Sequence, residues 1–209
     1  MNVQQLGIIL MKYFRKISFL ILNGSFLISV NQVMAMQEPR DLYDFTHQET
    51  SGVWMIVNDG VMGGISESRL SLDQQGFLVF EGKVSLDYGG GFASVRSILN
   101  RLDADPHDGI LIRFKGDGKK YQLRLRQGDR MDGVAYFRHF ETKIGEWEEV
   151  FLPFHSFQAS YRGRRLPDYP KLDTSRISQL GLMISDKQEG NFRLEVQRIA
   201  LYFNEHFQT

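Results

Sequence analysis

Apolar residues fall at every second position through most of this chain, and that period decides the fold class before any motif is weighed. Ile110, Ile112 and Phe114 alternate with Leu111, Arg113 and Lys115, and beyond Gly116-Asp117-Gly118 the residues Tyr121, Leu123 and Leu125 alternate with Gln122, Arg124 and Arg126. A period of two places one residue set on each face of a pleated strand, so the two runs read as a hairpin closed by the glycine turn. Similar runs lie at 77–80, 92–96, 134–140, 149–154, 180–185 and 192–203, giving at least eight strands. Only Ser97 to Asp105 and Thr174 to Gln179 read as locally helical, too little helix to cover an open sheet. The expected fold is all-β, a two-sheet β-sandwich, in one domain over residues 41–203 with a short segment 36–40 before it and a tail 204–209.

The first 35 residues read differently. Lys12, Arg15 and Lys16 precede an apolar run from Ile17 to Val30, and Val33-Met34-Ala35 offers a small-residue cleavage site, the order of an export signal with Met11 as an alternative start. The run of 14 residues, broken by Asn23 and Gly24, is short for a hydrocarbon core about 30 Å thick. Cleavage after Ala35 removes three basic and no acidic residues from 25 of each, leaving 22 against 25, a formal charge of −3. Such a balance excludes a nucleic-acid binder that works by bulk charge. Cysteine is absent, and a chain this long buries enough surface to need no disulfide.

Catalytic signatures are missing. The five histidines, His47, His107, His139, His155 and His206, never fall at the spacing of a helical zinc site. Gly64-Ile65-Ser66-Glu67-Ser68 lacks the final glycine of a serine-hydrolase elbow, and Gly116-Asp117-Gly118-Lys119-Lys120 lacks the spacing of a phosphate loop. A glycosidase carboxylate pair would have to come from distant strands.

Two segments stand out. In Trp54-Met55-Ile56-Val57-Asn58-Asp59-Gly60-Val61-Met62-Gly63-Gly64 a strand enters an Asn-Asp-Gly turn and leaves through paired glycines, which suits a tight sandwich corner or a ligand loop. A calcium ion there would have Asp59 as its sole carboxylate, thin support for a cation wanting six to eight oxygens. The second segment is Gly89-Gly90-Gly91-Phe92-Ala93-Ser94-Val95-Arg96, whose glycines imply a geometric need at a strand entrance. Trp54 and Trp147 read as core more than as sugar platforms, and Arg162-Gly163-Arg164-Arg165 as a solvated loop.

Five blocks in order, Asn58 to Gly64 with Ser66, Gly90 to Arg96, Asp108 to Ile110 running into Lys115 to Tyr121, Trp147 before Phe151-Leu152-Pro153-Phe154, and Ile177 to Gly181 with Asp186-Lys187-Gln188 and Gly190-Asn191-Phe192, resemble the complex I intermediate-associated protein 30 family over about residues 41–203. The resemblance implies a galactose-binding-domain-like jelly roll. It also implies kinship with a mitochondrial assembly factor for the membrane arm of respiratory complex I, which has no catalytic residues to carry over. Combined with the export-like N-terminus, it leads to the expectation of a non-catalytic protein of the periplasm or cell envelope of a bacterium, an assembly factor or protein-interaction scaffold. The alternative is a carbohydrate- or anionic-ligand-binding module, with a glycoside hydrolase behind both. A protein or glycan partner is expected, with no cofactor, no metal and no nucleic acid, and membrane contact only through an uncleaved signal. The candidate binding residues are Asn58, Asp59, Met62, Gly63, Gly64, Arg96, Arg113, Arg124, Arg126 and Trp147, the four arginine and lysine positions Arg113, Lys115, Arg124 and Arg126 being expected on one basic sheet face.

Overall fold

Thirteen strands form two antiparallel sheets in the computed structural model, which describes residues 39–47, 53–128, 130 and 132–203. The N-terminal basic and apolar segment and the tail 204–209 lie outside the described residues. In chain order the strands are β1 (Arg40–Asp44), β2 (Trp54–Ile56), β3 (Glu67–Leu72), β4 (Leu78–Val84), β5 (Ala93–Leu102), β6 (Gly109–Lys115), β7 (Lys120–Gln127), β8 (Ala135–Glu141), β9 (Trp147–Pro153), β10 (Gln158–Tyr161), β11 (Arg164–Arg165), β12 (Ile177–Ile184) and β13 (Gly190–Tyr202). Sheet I runs β3-β4-β13-β6-β9, with β1 also on β13, and sheet II runs β11-β10-β8-β7-β12-β5-β2.

The all-β sandwich is as expected, but the expected hairpin of β6 and β7 does not exist. β6 pairs with β13 and β9 in sheet I, whereas β7 pairs with β12 and β8 in sheet II. Gly116 to Lys119 carry the chain from one sheet to the other. Thr142 holds that crossing, its hydroxyl accepting from the Gly118 amide at 3.0 Å and donating to the Lys119 carbonyl at 2.9 Å. Alternation cannot distinguish a hairpin from such a crossing, because both turn the same apolar residues toward the core. Ile110, Ile112 and Phe114 thus face Tyr121, Leu123 and Leu125 from opposite sheets, all fully buried. The ring of Phe114 in β6 reaches that of Phe140 in β8 at 4.8 Å.

A second correction concerns Ser97 to Asp105. This segment is extended through Leu102 as part of β5, pairing with β12 on one side and β2 on the other. Its mixed polar and apolar order imitates a helical face because the strand is irregular: the register with β12 shifts between Ile177 and Gln179, and Arg101 takes a left-handed φ of 48°. Thr174–Arg176 does form one short 3₁₀ turn, after which Ile177 enters β12.

Candidate functional site

The outer face of sheet II carries a cleft of about 450 Å³ whose floor is built from a cross-strand row. Gly181 in β12 stands between Arg96 in β5 and Arg124 in β7, and Arg124 in turn faces Phe137 in β8. Two inter-strand spacings separate the arginine backbones, about 10 Å. Gly181 leaves the row open at its middle, and it has a steric reason to be glycine: a Cβ there would sit 2.7 Å from the Val95 carbonyl oxygen. Arg126 lies two residues beyond Arg124 on the same strand, so both point outward.

Internal partners for these guanidiniums are few. Arg124 donates to the Gln122 side-chain oxygen at 2.6 Å and to Ser160 Oγ at 3.3 Å, and its guanidinium lies 5.7 Å from the Phe137 ring centroid. Arg126 Nε is buried with no hydrogen-bond partner. Among the described residues no carboxylate comes within salt-bridge distance of Arg124 or Arg126. Burial first, then the neighbouring Arg96 charge, pushes Arg124 down to about 10, while burial with the charges of Arg96 and Arg124 pushes Arg126 down to about 9. Burial also lowers Arg96, against the pull of Asp132. Around Arg124 and Arg126 the positive charge is therefore incompletely compensated among the described residues.

The rim is set by a buried carboxylate. Asp59 is 0% exposed, and its two oxygens accept four hydrogen bonds: Ser66 N at 2.9 Å, Ser66 Oγ at 2.5 Å, Gly91 N at 2.7 Å and Phe92 N at 3.1 Å. These donors outweigh its desolvation and hold the carboxyl below its usual range. Gly64 and Gly90 must be glycine to admit it, since a Cβ at either would come within 2.7 Å of the Asp59 carboxylate group. Asn58 Oδ1 accepts from Ser68 Oγ at 2.9 Å and from Ser94 N at 3.3 Å, binding the same turn to β3 and β5. The turn Asp59–Met62, ended by Gly63 at φ 93°, is thus fixed with Val61 73% and Met62 57% exposed at the edge of the cleft. Three of these donors converge on Oδ2 and one on Oδ1, so the carboxylate serves as a tie between backbone segments, and among the described residues no group of three or more acidic or histidine side chains surrounds it.

Of the residues expected at a binding site, Met62, Arg96, Arg124 and Arg126 meet in the cleft, and Asn58, Asp59, Gly63 and Gly64 lie behind its rim as supports. Arg113 and Trp147 do not join them. Both belong to sheet I, and the single basic face is corrected to two faces on opposite sides of the molecule. There Lys115 Nζ meets Glu195 at 2.5 Å, Arg113 donates to Gln197 at 2.6 Å, and both cations lie within 6 Å of the Trp147 ring centroid. Trp147 is accordingly a half-buried surface ring against Phe77, not core, whereas Trp54 packs on Tyr43 and Phe45 as expected. Sequence reasoning missed Gly181 and Ser160 as cleft residues, and Gln122 and Phe137 as side chains that hold Arg124; a glycine inside the strand 180–185 was the one available signal.

The family model described as Complex I intermediate-associated protein 30 matches residues 43–196. The relative of that name with the qualifier mitochondrial in Mus musculus is 25% identical, covering 82% of this chain and 58% of its own length. A probable counterpart in Caenorhabditis elegans is 27% identical over 79% of this chain and 54% of its own length, and the Drosophila melanogaster protein is 24% identical over 78% and 62%. The chain spans little more than half the length of these curated relatives. Being mitochondrial proteins of eukaryotes by name, they overturn the expectation of a bacterial periplasm or envelope, which rested on an apolar run behind basic residues. Among solved structures, a family 11 carbohydrate-binding module of Clostridium thermocellum in complex with a β-1,3-1,4-mixed-linked tetrasaccharide superposes with a TM-score of 0.60 at 18% identity, covering 80% of this chain and 98% of that one. The module of that family from the cellulase Lic26A-Cel5E of the same organism gives 0.61 at 17% identity, over 82% and 98%. At these identities the likeness establishes the β-sandwich fold.

Proposed function

This chain belongs to the complex I intermediate-associated protein 30 family, and from that membership we propose that it acts without catalysis, as an assembly factor or protein-interaction scaffold whose partner seats in the cleft of sheet II. The observation that carries the reading is the cleft's composition: half-buried arginines beside exposed Val61 and Met62, a mixture of charge and apolar surface that suits a protein segment. The described lining contributes one carboxylate, Asp132, where glycoside hydrolysis calls for two.

A carbohydrate-binding reading draws on the fold likeness to carbohydrate-binding modules. Against it, the described lining of the cleft includes no Trp or Tyr on which a sugar ring could stack, Phe92 being the single aromatic. The test is co-purification of the tagged full chain from detergent-solubilised membranes of its source organism after mild crosslinking. Subunits of respiratory complex I or of its assembly intermediates are the expected partners. Recovery of glycans instead, with retention of the free chain on a glucan column, would replace the proposal by the carbohydrate reading.

A further inference from the structure

The cleft floor presents the guanidiniums of Arg124 and Arg126, neither of them within salt-bridge distance of a carboxylate among the described residues. The outer face of sheet I shows what this protein does with arginines it means to neutralise. There Arg69 meets Glu81 at 2.6 Å, Arg193 meets Glu81 at 2.5 Å and Glu195 at 2.9 Å, and Lys115 closes the row on Glu195. Among the described residues no acid pairs with Arg124 or Arg126 at salt-bridge distance, Asp186 and Asp132 acting on them only from farther off, although they are the more buried of the two sets and like charges on one strand face repel.

The same cleft is lined by Val57, Val61, Met62 and Phe92. Val61 and Met62 are held in the open by the Asp59 hydrogen bonds, so their exposure is built into the backbone and is not the fraying of a loose loop. Methionine at such a rim adapts to varied apolar side chains. An inorganic anion would leave that wall unused, and a glycan would lack a ring platform.

We infer that the cleft recognises a segment of a protein partner in which a carboxylate side chain lies next to a large apolar one, the carboxylate on the Arg124 and Arg126 guanidiniums and the apolar side chain against Val61, Met62 and Phe92. Arginine forks bind a carboxylate through paired N–H donors, and among the described residues no acid lies within salt-bridge distance of the Arg124 or Arg126 guanidinium, the Arg126 Nε being buried without any partner. This inference rests on the reading that the cleft is the partner's seat.

The experiment is selection of a displayed random-peptide library on the immobilised full chain, with affinities of the enriched peptides measured by fluorescence polarisation. Enriched sequences pair Glu or Asp with Leu, Ile, Phe or Met. Changing the acid to its amide in the peptide, or making Arg126→Gln in the protein, weakens binding at least 10-fold, and the two changes together weaken it little further. The peptide change requires no alteration of the protein, so it decides even where Arg126→Gln alters folding. Met62→Ser, at an exposed position, weakens binding while the melting temperature holds. No enrichment, enriched peptides without acids, affinities indifferent to Arg126→Gln, or binding confined to inorganic phosphate or to phosphatidylserine vesicles would each overturn the inference. If acid-free peptides are selected while complex I subunits still co-purify, this inference alone falls; if co-purification is also unaffected by blocking the cleft, the parent reading falls with it.

Discussion

Replacing Asp59 by Asn keeps the shape of the side chain and removes only its charge and half of its acceptor capacity, so it isolates what the buried carboxylate does. Oδ2 receives Gly91 N, Phe92 N and Ser66 Oγ, and Oδ1 receives Ser66 N. In its better orientation the amide nitrogen takes the Oδ1 position, faces the Ser66 N–H as a second donor and loses that bond. The three remaining bonds become neutral ones. A hydrogen bond to an ionised group is worth about 1.5–3 kcal/mol against about 1 for a neutral pair, and a buried donor left unmet adds about 1–3 kcal/mol. The variant should therefore lose roughly 3–5 kcal/mol and melt on the order of 10 °C lower, taking the usual 2–4 °C per kcal/mol for a domain of this size.

The pH dependence supplies an independent check. The folded Asp59 is held below its usual pKa, so it binds its proton less readily folded than unfolded. Its contribution is present in full above the unfolded value, about 3.9, and is lost as pH falls through the lower folded value. The stability gap between the parent protein and Asp59→Asn should consequently be constant from pH 7 to about 5 and close below pH 4. Other lowered carboxylates, Asp44 and Glu81 among them, are common to both proteins and cancel in the difference. Urea unfolding followed by tryptophan fluorescence between pH 7 and pH 2.5 measures this. A gap under about 1 kcal/mol at pH 7, or one that persists undiminished to pH 2.5, would refute the account of Asp59 as the ionised tie between the two glycine segments.

Arg126→Met should leave the protein as stable as the parent or more so by about 1 kcal/mol in thermal melts, since a half-buried cation without an ion partner gives way to an apolar side chain of similar length; a loss above 1 kcal/mol would show a partner the geometry lacks. Gly181→Ala should cost about 1–3 kcal/mol through the contact with the Val95 carbonyl and weaken peptide binding by filling the gap between Arg96 and Arg124, and an unchanged affinity would move the ligand off the floor. Arg113→Ala and Trp147→Ala, on the opposite sheet, should leave peptide affinity within twofold of the parent in the same polarisation assay.

How much of this was legible in the sequence follows from which interactions are local. Alternation alone identified the buried faces of β6 and β7, because burial of one strand face is recorded within the strand itself. It could not assign the strands to sheets, since that depends on Thr142, some two dozen residues beyond the Gly116-Asp117-Gly118 turn it secures. The glycine clusters at 63–64 and 89–91 were visible as oddities, but the reason for Gly64 and Gly90 is the Asp59 side chain, over 30 residues away from the second of them, while Gly63, Gly89 and Gly91 answer to positive φ. Asp59 itself looked like a turn residue. Nothing in Asn-Asp-Gly distinguishes an exposed turn carboxylate from one that four donors bury.

The two outer faces give a physical basis for choosing which side of this sandwich binds. On sheet I the sequence alternates arginine and lysine with glutamate across neighbouring strands, and the chain becomes its own counter-ion. The cations of these pairs reach solvent while Glu81 and Glu195 are largely buried, and the pattern keeps that face neutral and non-adhesive. On sheet II the neighbours of Arg124 are Gln122, Ser160 and Phe137, side chains that orient a guanidinium and partly dehydrate it while leaving its charge in place. Orienting a cation without neutralising it lowers stability and has no structural benefit in the free protein. The benefit arises when an anion arrives already desolvated beside apolar surface, because the guanidinium is then fixed in advance and loses little entropy on binding. The Asp59 tie belongs to the same arrangement: it spends four hydrogen bonds to hold two apolar side chains, Val61 and Met62, in water at the edge of that field.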